Sequence, residues 1–465
     1  MDTFGSLIDG NTEAVGSPTS HISYVTKKEW AKLHFVDDKG IETALNALQK
    51  PTLQMLTPYE RANILQKIAT LLIRDKEDLA HLITLEMGKP IKEARGEIDY
   101  TASYFTWLAE EAKRIYGKTV PSQFPDKRLF IHYEPIGPTA IITPWNFPIG
   151  MAGRKMASAF AAGCPVIIKP SPETPVSLLS LGKLCLEAGI PKEALHILIG
   201  DEVKIGEAFL NAPFIRKLSF TGSCEVGRLL YKGSAATLKK LTMELGGHAP
   251  LIVFDDADLD KAVDEAIISK FRQSGQTCIC ANRFFVQQGI YPTFLKRFTE
   301  KVSSMKVGDP FDETTHLSHA IHPLSHKKAE AHVADALKKG AKAHLGAKIG
   351  YEPEILTEIT DDMLIFQEET FGPVAAITTF NSADEAIRRA NQTPYGLAAY
   401  VFTEGLKQAE KICHALDFGI VGLNDSTPTT AQIPFGGVKD SGFGREGGPS
   451  GIYEYLKEKV ISQKL

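Results

Sequence analysis

Cysteine is scarce: six in 465 residues, too few for a disulfide framework in a chain of this length, so the context reads as reducing. Neither charge dominates. Lys and Arg number 52 against 56 Asp and Glu, a net charge of −4, without the basic excess or stripe that marks a general nucleic-acid binder. No apolar stretch reaches the roughly 20 residues that a membrane-spanning helix needs. The opening residues, MDTFGSLIDGNTEAVGSPTSH, lack the basic-then-apolar order of a secretory signal and the Arg-rich amphipathic pattern of a mitochondrial presequence. There is no tandem repeat, no low-complexity tract, no phosphate loop ending in Gly-Lys-Ser/Thr, no G-x-S-x-G elbow and no H-E-x-x-H. What remains is a soluble, cytoplasmic chain with neither nucleic acid nor membrane as partner.

What is present is an ordinary globular composition, 43% hydrophobic and 23% charged. At about 150 residues per domain the length predicts two or three domains. The first twenty or so residues are polar and read as an extended lead-in. From Thr57, with Pro58 behind it, apolar residues recur at helical spacing through Ile64, Ile68, Leu71 and Leu72. A second helical run covers Glu77 to Met87 and stops at Gly88; a third runs from Ile91 to Ile115 before Gly117. From Ile136 short β-branched runs alternate with helices: Thr139–Thr143, Pro165–Lys169, His196–Ile199, Lys217–Phe220 and Pro250–Phe254 are separated by stretches such as Pro175–Ala188 and Val203–Leu210. A second alternating block follows Ala281. Strand, helix, strand in alternation predicts parallel sheets covered on both faces, hence an α/β fold of two lobes.

Four stretches carry candidate chemistry. Gly275-Gln276-Thr277-Cys278-Ile279-Cys280 offers a thiol whose thiolate would be a nucleophile, although a pair of buried structural cysteines fits the same letters. A lone C-x-C without a second Cys/His pair is a poor zinc site, and no metal is expected. Glu244-Leu245-Gly246-Gly247 places a carboxylate, a possible general base or an ordinary loop charge, before glycines that permit close approach. Thr143-Pro144-Trp145-Asn146-Phe147-Pro148 ends a predicted strand, where an Asn amide can donate to an oxyanion or simply hold a turn. Phe220-Thr221-Gly222-Ser223 opens a helix whose N–H groups suit a phosphate.

Taken together and in this order, PWNFP, a strand ending Lys-Pro, FTGS, ELGG, GQTC, EETFGP and PFGG resemble the aldehyde dehydrogenase superfamily from about Thr57 to the C-terminus. FRQSGQTCICANR and PFGGVKDSGFGREGG are similar to its succinate-semialdehyde branch. The resemblance implies oxidation of an aldehyde to an acid. Cys278 would form a thiohemiacetal and then a thioester, Asn146 and the Cys278 N–H would hold the oxyanion, and Glu244 would activate the hydrolytic water. It also implies NAD or NADP as cofactor. Lys169 would meet the adenosine ribose, Gly222 and Ser223 the pyrophosphate, and Glu369 and Phe371 the nicotinamide ribose, with Trp145 and Leu245 near the nicotinamide. Members that prefer NAD carry a glutamate where this chain has Pro172. Without it Lys169 and Ser171 could receive a 2′-phosphate, which favours NADP, while the adjacent Glu173 could restore repulsion.

For substrate, the branch holds a distal carboxylate with two arginines, matched here by Arg154 and Arg272, and with a small hydroxyl residue, matched by Thr429. A guanidinium fork suits a carboxylate, a sulfonate or a phosphonate alike. The loop Asn424–Gln432 departs from the branch pattern, which leaves glutarate semialdehyde and sulfo- or phosphono-aldehydes open beside succinic semialdehyde, as well as a general aldehyde oxidiser or a non-catalytic structural role. Some relatives with this C-x-C form a Cys278–Cys280 bridge that blocks the nucleophile; ordinary packing of Cys280 is the alternative. The expected architecture is a cofactor domain (1–116 and 138–244), a catalytic domain (245–440) and a small oligomerisation β-element (117–137 and 441–465), in a homodimer or homotetramer.

Overall fold

A computed structural model describes residues 2–13, 17–318, 323–346 and 352–465. Two sheets with parallel cores organise it, as the alternating pattern predicts. In the first, Thr139–Ile142, Val166–Lys169 and Leu195–Ile197 step outward in one direction, and Lys217–Thr221 and Lys240–Glu244 in the other. All neighbours within this set pair in parallel. The winding reverses between Thr139–Ile142 and Lys217–Thr221, and open sheets of this kind take ligands beyond the carboxyl ends of strands at such a reversal. Val166, Ile167 and Ile168 are fully buried, as a strand covered by helices on both faces requires.

The helical layer is Pro58–Arg74, Lys76–Met87 and Ile91–Ala112. Thr57 and Glu60 form a reciprocal capping box, and Pro58 occupies the first turn, where its missing N–H is not needed. Ile68, Leu71 and Leu72 are buried and Ile64 packs at their edge. Gly88 caps the second helix at φ 79°. The third ends at Ala112 rather than Ile115, because its last turn tightens: Arg114 N–H donates to Glu111 O at 2.9 Å, an i→i+3 bond.

The N-terminal residues do more than lead in. Ser6–Ile8 pairs antiparallel with Leu195–Ile197, placing Leu7 opposite Ile197, and Asn11–Glu13 adds beyond it. Leu7 and Ile8 are buried, and the Ile199 N–H donates to Ser6 Oγ at 3.0 Å. Two apolar side chains in a polar stretch suffice to seat an edge strand, too few to register as a pattern. Asp2–Phe4 and Pro18–Ile22 flank Glu29–His34 in a separate small sheet; residues 14–16 lie outside the described residues.

The second large sheet runs Glu354–Thr357, Val374–Phe380, Ala281–Gln287, Ala249–Val253, Ala398–Phe402 and Ile420–Leu423, all parallel, with Lys342–Ala343 antiparallel at one edge. A third sheet is small and antiparallel. Leu456–Lys464 lies antiparallel along Lys127–Pro135, which also pairs with Lys118–Val120. Gly442–Phe443 belongs elsewhere, pairing with Lys240–Glu244 at the edge of the first sheet. Among the described residues no helix is long and apolar enough to cross a membrane.

Candidate active site

Beyond the helix Leu259–Phe271 the backbone enters a strained turn. Gln273, Ser274 and Gly275 take φ of 54°, 53° and 73°, a left-handed run that costs a residue with a Cβ about 1 kcal/mol or more. Surrounding bonds hold it there. The Gln273 N–H donates to the Glu93 carboxylate at 2.8 Å, and the Gln276 main-chain and side-chain amides both donate to Gln273 O at 3.0 Å. The turn delivers Cys278 to the wall of a cleft of about 580 Å³. Opposite it, a Cβ on Gly247 would lie 2.0 Å from Cys278 O, so only glycine lets the two loops approach this closely. Burial pushes the Cys278 thiol up to about 12, with Arg154 and Arg272 pulling the other way. Cys280 faces elsewhere: it is buried, with Sγ 3.4 Å from Lys270 Nζ.

Asn146 follows the strand Thr139–Ile142 and reaches the same cleft. Its Nδ2 donates to Gln276 O at 2.8 Å, and its own carbonyl accepts from Lys89 Nζ at 3.0 Å. Lys89 is ion-paired with Glu97, whose other oxygen accepts from the N–H groups of Ile149 and Gly150 at the start of the helix Gly150–Ala162. A buried carboxylate at a helix N-terminus thus fixes the loop that carries Asn146.

Glu244 ends the strand Lys240–Glu244. It is 2% exposed, neither carboxylate oxygen has a hydrogen-bond partner among the described residues, and Oε1 lies against Gly436. Burial, and then the negative charge of Glu446, raises it well above the ordinary carboxylate range. Glu446 pairs with both Arg154 and Lys155; burial opposes its charge, but these two cations hold it below the usual value. Glu244 is not among the cleft-lining residues, although the next two, Leu245 and Gly246, are.

Arg154 and Arg272 both line the cleft, in different states. Arg154 is fully buried, with Nε on Glu446 and its guanidinium 4.1 Å from the centre of the Phe435 ring. Arg272 is half-buried and, among the described residues, makes no side-chain hydrogen bond. Thr429 lines the same cleft. At the other end Gly222 and Ser223 open into it at the N-terminus of the helix Cys224–Ser234, which Ser223 caps through the Val226 N–H at 3.3 Å. Glu369 accepts from the Gly247 N–H at 3.1 Å, and burial raises its carboxyl to about 7. Phe371 meets the Trp145 ring edge-on at 6.0 Å. Lys169 and Ser171 lie outside the cleft lining. Pro172 and Glu173 line a separate cavity of about 330 Å³ with Tyr24 and Lys27.

The sequence and the backbone both have counterparts among known proteins. The model of the "Aldehyde dehydrogenase family" matches residues 12–461. The chain belongs to the aldehyde dehydrogenase family. It is 47% identical over 412 residues to the mitochondrial succinate-semialdehyde dehydrogenase of Arabidopsis thaliana, covering 87% of this chain and 78% of that one. It is 45% identical over 428 residues to the NADP(+) succinate-semialdehyde dehydrogenase of Escherichia coli, covering 91% and 88%. A crystal structure of an aldehyde dehydrogenase from Brucella melitensis biovar abortus superposes with a TM-score of 0.97 at 44% identity, covering 99% of this chain and 97% of that one.

Within this family frame, the sequence motifs left unmentioned the residues that hold the site from behind. Lys89, Glu93 and Glu97 sit on the helical layer, far from the motifs in sequence. Lys155 follows Arg154 directly, and Glu446 stands inside REGG. Their signal is a charged residue amid small or apolar neighbours, which becomes informative only once burial is known. His248 is buried, with Nε2 2.8 Å from Phe366 O. No group of three or more His, Cys, Asp or Glu among the described residues is placed to hold a metal ion.

Proposed function

We propose that this enzyme oxidises a short anionic aldehyde to its carboxylic acid with NAD or NADP, through a thioester on Cys278. The observation that carries the substrate class is Arg272. It stands six positions before Cys278 (278 − 272 = 6), opens into the same cleft, and has no hydrogen bond of its own among the described residues. A guanidinium left unpaired beside a nucleophile is a ready receptor for the far anionic end of a small substrate. Arg154, held by Glu446, supplies positive potential more than a free fork. Succinic semialdehyde is the aldehyde this pocket supports best, in keeping with the relatives' activity.

The Cys278 S–H proton passes to water as Sγ adds to the aldehyde carbon, and the carbonyl π pair moves to oxygen. Asn146 Nδ2, fixed by its bond to Gln276 O, and the Cys278 N–H stabilise that oxygen. A nicotinamide held at Glu369 and Phe371 would supply the hydride acceptor for the same carbon, leaving a thioester on Cys278. Glu244, raised by burial and by Glu446, takes a proton from water as the water attacks; the C–S bond breaks and the acid departs. The cleft suits a dinucleotide on its own terms. A helix N-terminus opens into it at Gly222 and Ser223, Glu369 lines it, and Thr221 Oγ1, on a residue of the same lining, is buried without a hydrogen-bond partner among the described residues.

The division into a cofactor domain (1–116 and 138–244), a catalytic domain (245–440) and an oligomerisation element (117–137 and 441–465) is part of the same reading, as is a homodimer or homotetramer. The exposed strand Leu456–Lys464 supports it. Six free thiols support a cytoplasmic location. The deciding experiment compares initial rates of cofactor reduction with succinic semialdehyde and with butanal, each with NAD and with NADP, using Cys278→Ala as blank. A large kcat/KM advantage for the semialdehyde that disappears in Arg272→Ala is expected. Equal use of both aldehydes would refute the anionic pocket.

A further inference from the structure

Lys169 closes the second strand outward from the reversal in the first sheet. The resemblance to the aldehyde dehydrogenases implies that this lysine meets the adenosine ribose of a dinucleotide, and open sheets of this kind bind dinucleotides beyond the carboxyl ends of their strands. Carboxylates already occupy the groups there. Lys169 Nζ is ion-paired with Glu202; the lysine side chain is 7% exposed, whereas the glutamate remains 58% exposed to solvent. Ser171 Oγ donates to Glu173. The ammonium and the hydroxyl that a 2′-phosphate would need are each held by an acid, and Pro172, which follows Ser171, offers no N–H.

Glu202 also fills a second anion-attracting position. It is the first residue of the helix Glu202–Asn211, and Asp201 caps that helix through the Lys204 N–H at 2.9 Å. A helix N-terminus draws phosphate through its free N–H groups and dipole; here Asp201 caps one of those N–H groups, and the Glu202 carboxylate adds negative charge in the first turn. Lys27 shares the small cavity with Glu173, its ammonium 5.5 Å from the centre of the Tyr24 ring. Glu202 is not part of that lining, so Lys27 does not offset it in the same way.

We propose that Glu202, seconded by Glu173, makes this enzyme select the dinucleotide without a 2′-phosphate, NAD over NADP. This rests on the dehydrogenase reading above and reverses the lean towards NADP that Pro172 alone gives. A 2′-phosphate brings between one and two negative charges against Glu202 and Glu173, while a 2′-hydroxyl is neutral and can donate to a carboxylate.

Calorimetric titration of the full-length protein with NAD and with NADP tests it without turnover. NAD is expected to bind at least about tenfold tighter, and Glu202→Gln to tighten NADP by about tenfold with little effect on NAD. Glu202→Gln with Glu173→Gln should shift the ratio further. Equal affinities in the wild type, tighter NADP, or a ratio that Glu202→Gln leaves unmoved would each overturn the discrimination while leaving the dehydrogenase reading intact. Absence of binding by either dinucleotide would overturn both.

Discussion

Asn146 Nδ2 lies 2.8 Å from the main-chain oxygen of Gln276, a hydrogen bond between positions 130 apart in sequence. It joins the end of a strand in the first sheet to the strained turn that presents Cys278. One amide proton holds the turn, and the other is the donor proposed for the oxyanion. Asn146→Ala is therefore expected to lower kcat by about a hundredfold to a thousandfold, the usual loss on removing one oxyanion donor. KM should change little, and stability should fall by only about 1 kcal/mol for the lost bond. Steady-state kinetics beside a urea melt would show the split; a large KM effect with unchanged kcat would contradict it.

The two arginines should separate by their failures. Arg154→Ala leaves Glu446 buried with one cation fewer, and breaking such a pair costs about 3–5 kcal/mol. Its first symptom should be a lower denaturation midpoint. Arg272→Ala removes a side chain with no hydrogen bond among the described residues, so the melt should barely move. KM for an anionic aldehyde should rise at least about tenfold, as expected for loss of a charge-assisted contact. Paired thermal melts and kinetics on both variants would decide.

Glu244 gives a pH dependence of definite sign. Burial and Glu446 raise its pKa above the ordinary carboxylate value, and only the ionised form can take a proton from water. Thioester hydrolysis should therefore accelerate as pH rises through a midpoint above the usual carboxylate range, with a burst of reduced cofactor below it. Stability runs the other way. A raised folded-state pKa means the folded protein binds the proton more tightly, so this contribution is present at low pH and is lost as pH climbs through the folded value. Glu244→Gln should match the wild type in melting temperature near pH 4 and exceed it increasingly at alkaline pH.

Glu446 has the opposite sign. Its pKa is held low by Arg154 and Lys155 against burial, so its contribution is present above the ordinary carboxylate value and is lost as pH falls through the depressed one. Glu446→Gln should lose stability at neutral pH and converge with the wild type in acid. Melts across the acidic range would check it, and a constant difference would contradict the pairing.

The strand Leu456–Lys464 leaves Val460 and Ile461 exposed beside the hydrogen-bonding edge of a three-stranded sheet. Such an edge pairs readily with another chain. Val460→Lys with Ile461→Lys is expected to shift light-scattering mass towards the monomer, with the far-ultraviolet dichroism preserved. An unchanged mass would remove this strand from the proposed oligomer contact.

Periodicity in the sequence determines most of the secondary structure. Apolar spacing from Ile64 to Leu72, Thr57 with Glu60, Gly88 as a cap and the β-branched runs Val166–Ile168 and Leu251–Val253 are local choices that agree with the folded result. Motif order also singles out Cys278, Asn146 and Glu244 for the proposed nucleophile, donor and base, and the first two line one cleft. Tertiary structure decides what those letters cannot carry. Leu7 and Ile8 join a sheet only because Leu195–Ile197 leaves an edge open. Arg154 and Arg272 look alike in sequence, yet Glu446 holds one and leaves the other free. Glu202, 33 positions from Lys169, meets it through the fold alone. Each of these depends on how charges and edges meet across distant segments, and the energy of such a meeting depends on burial, which no single stretch of sequence sets.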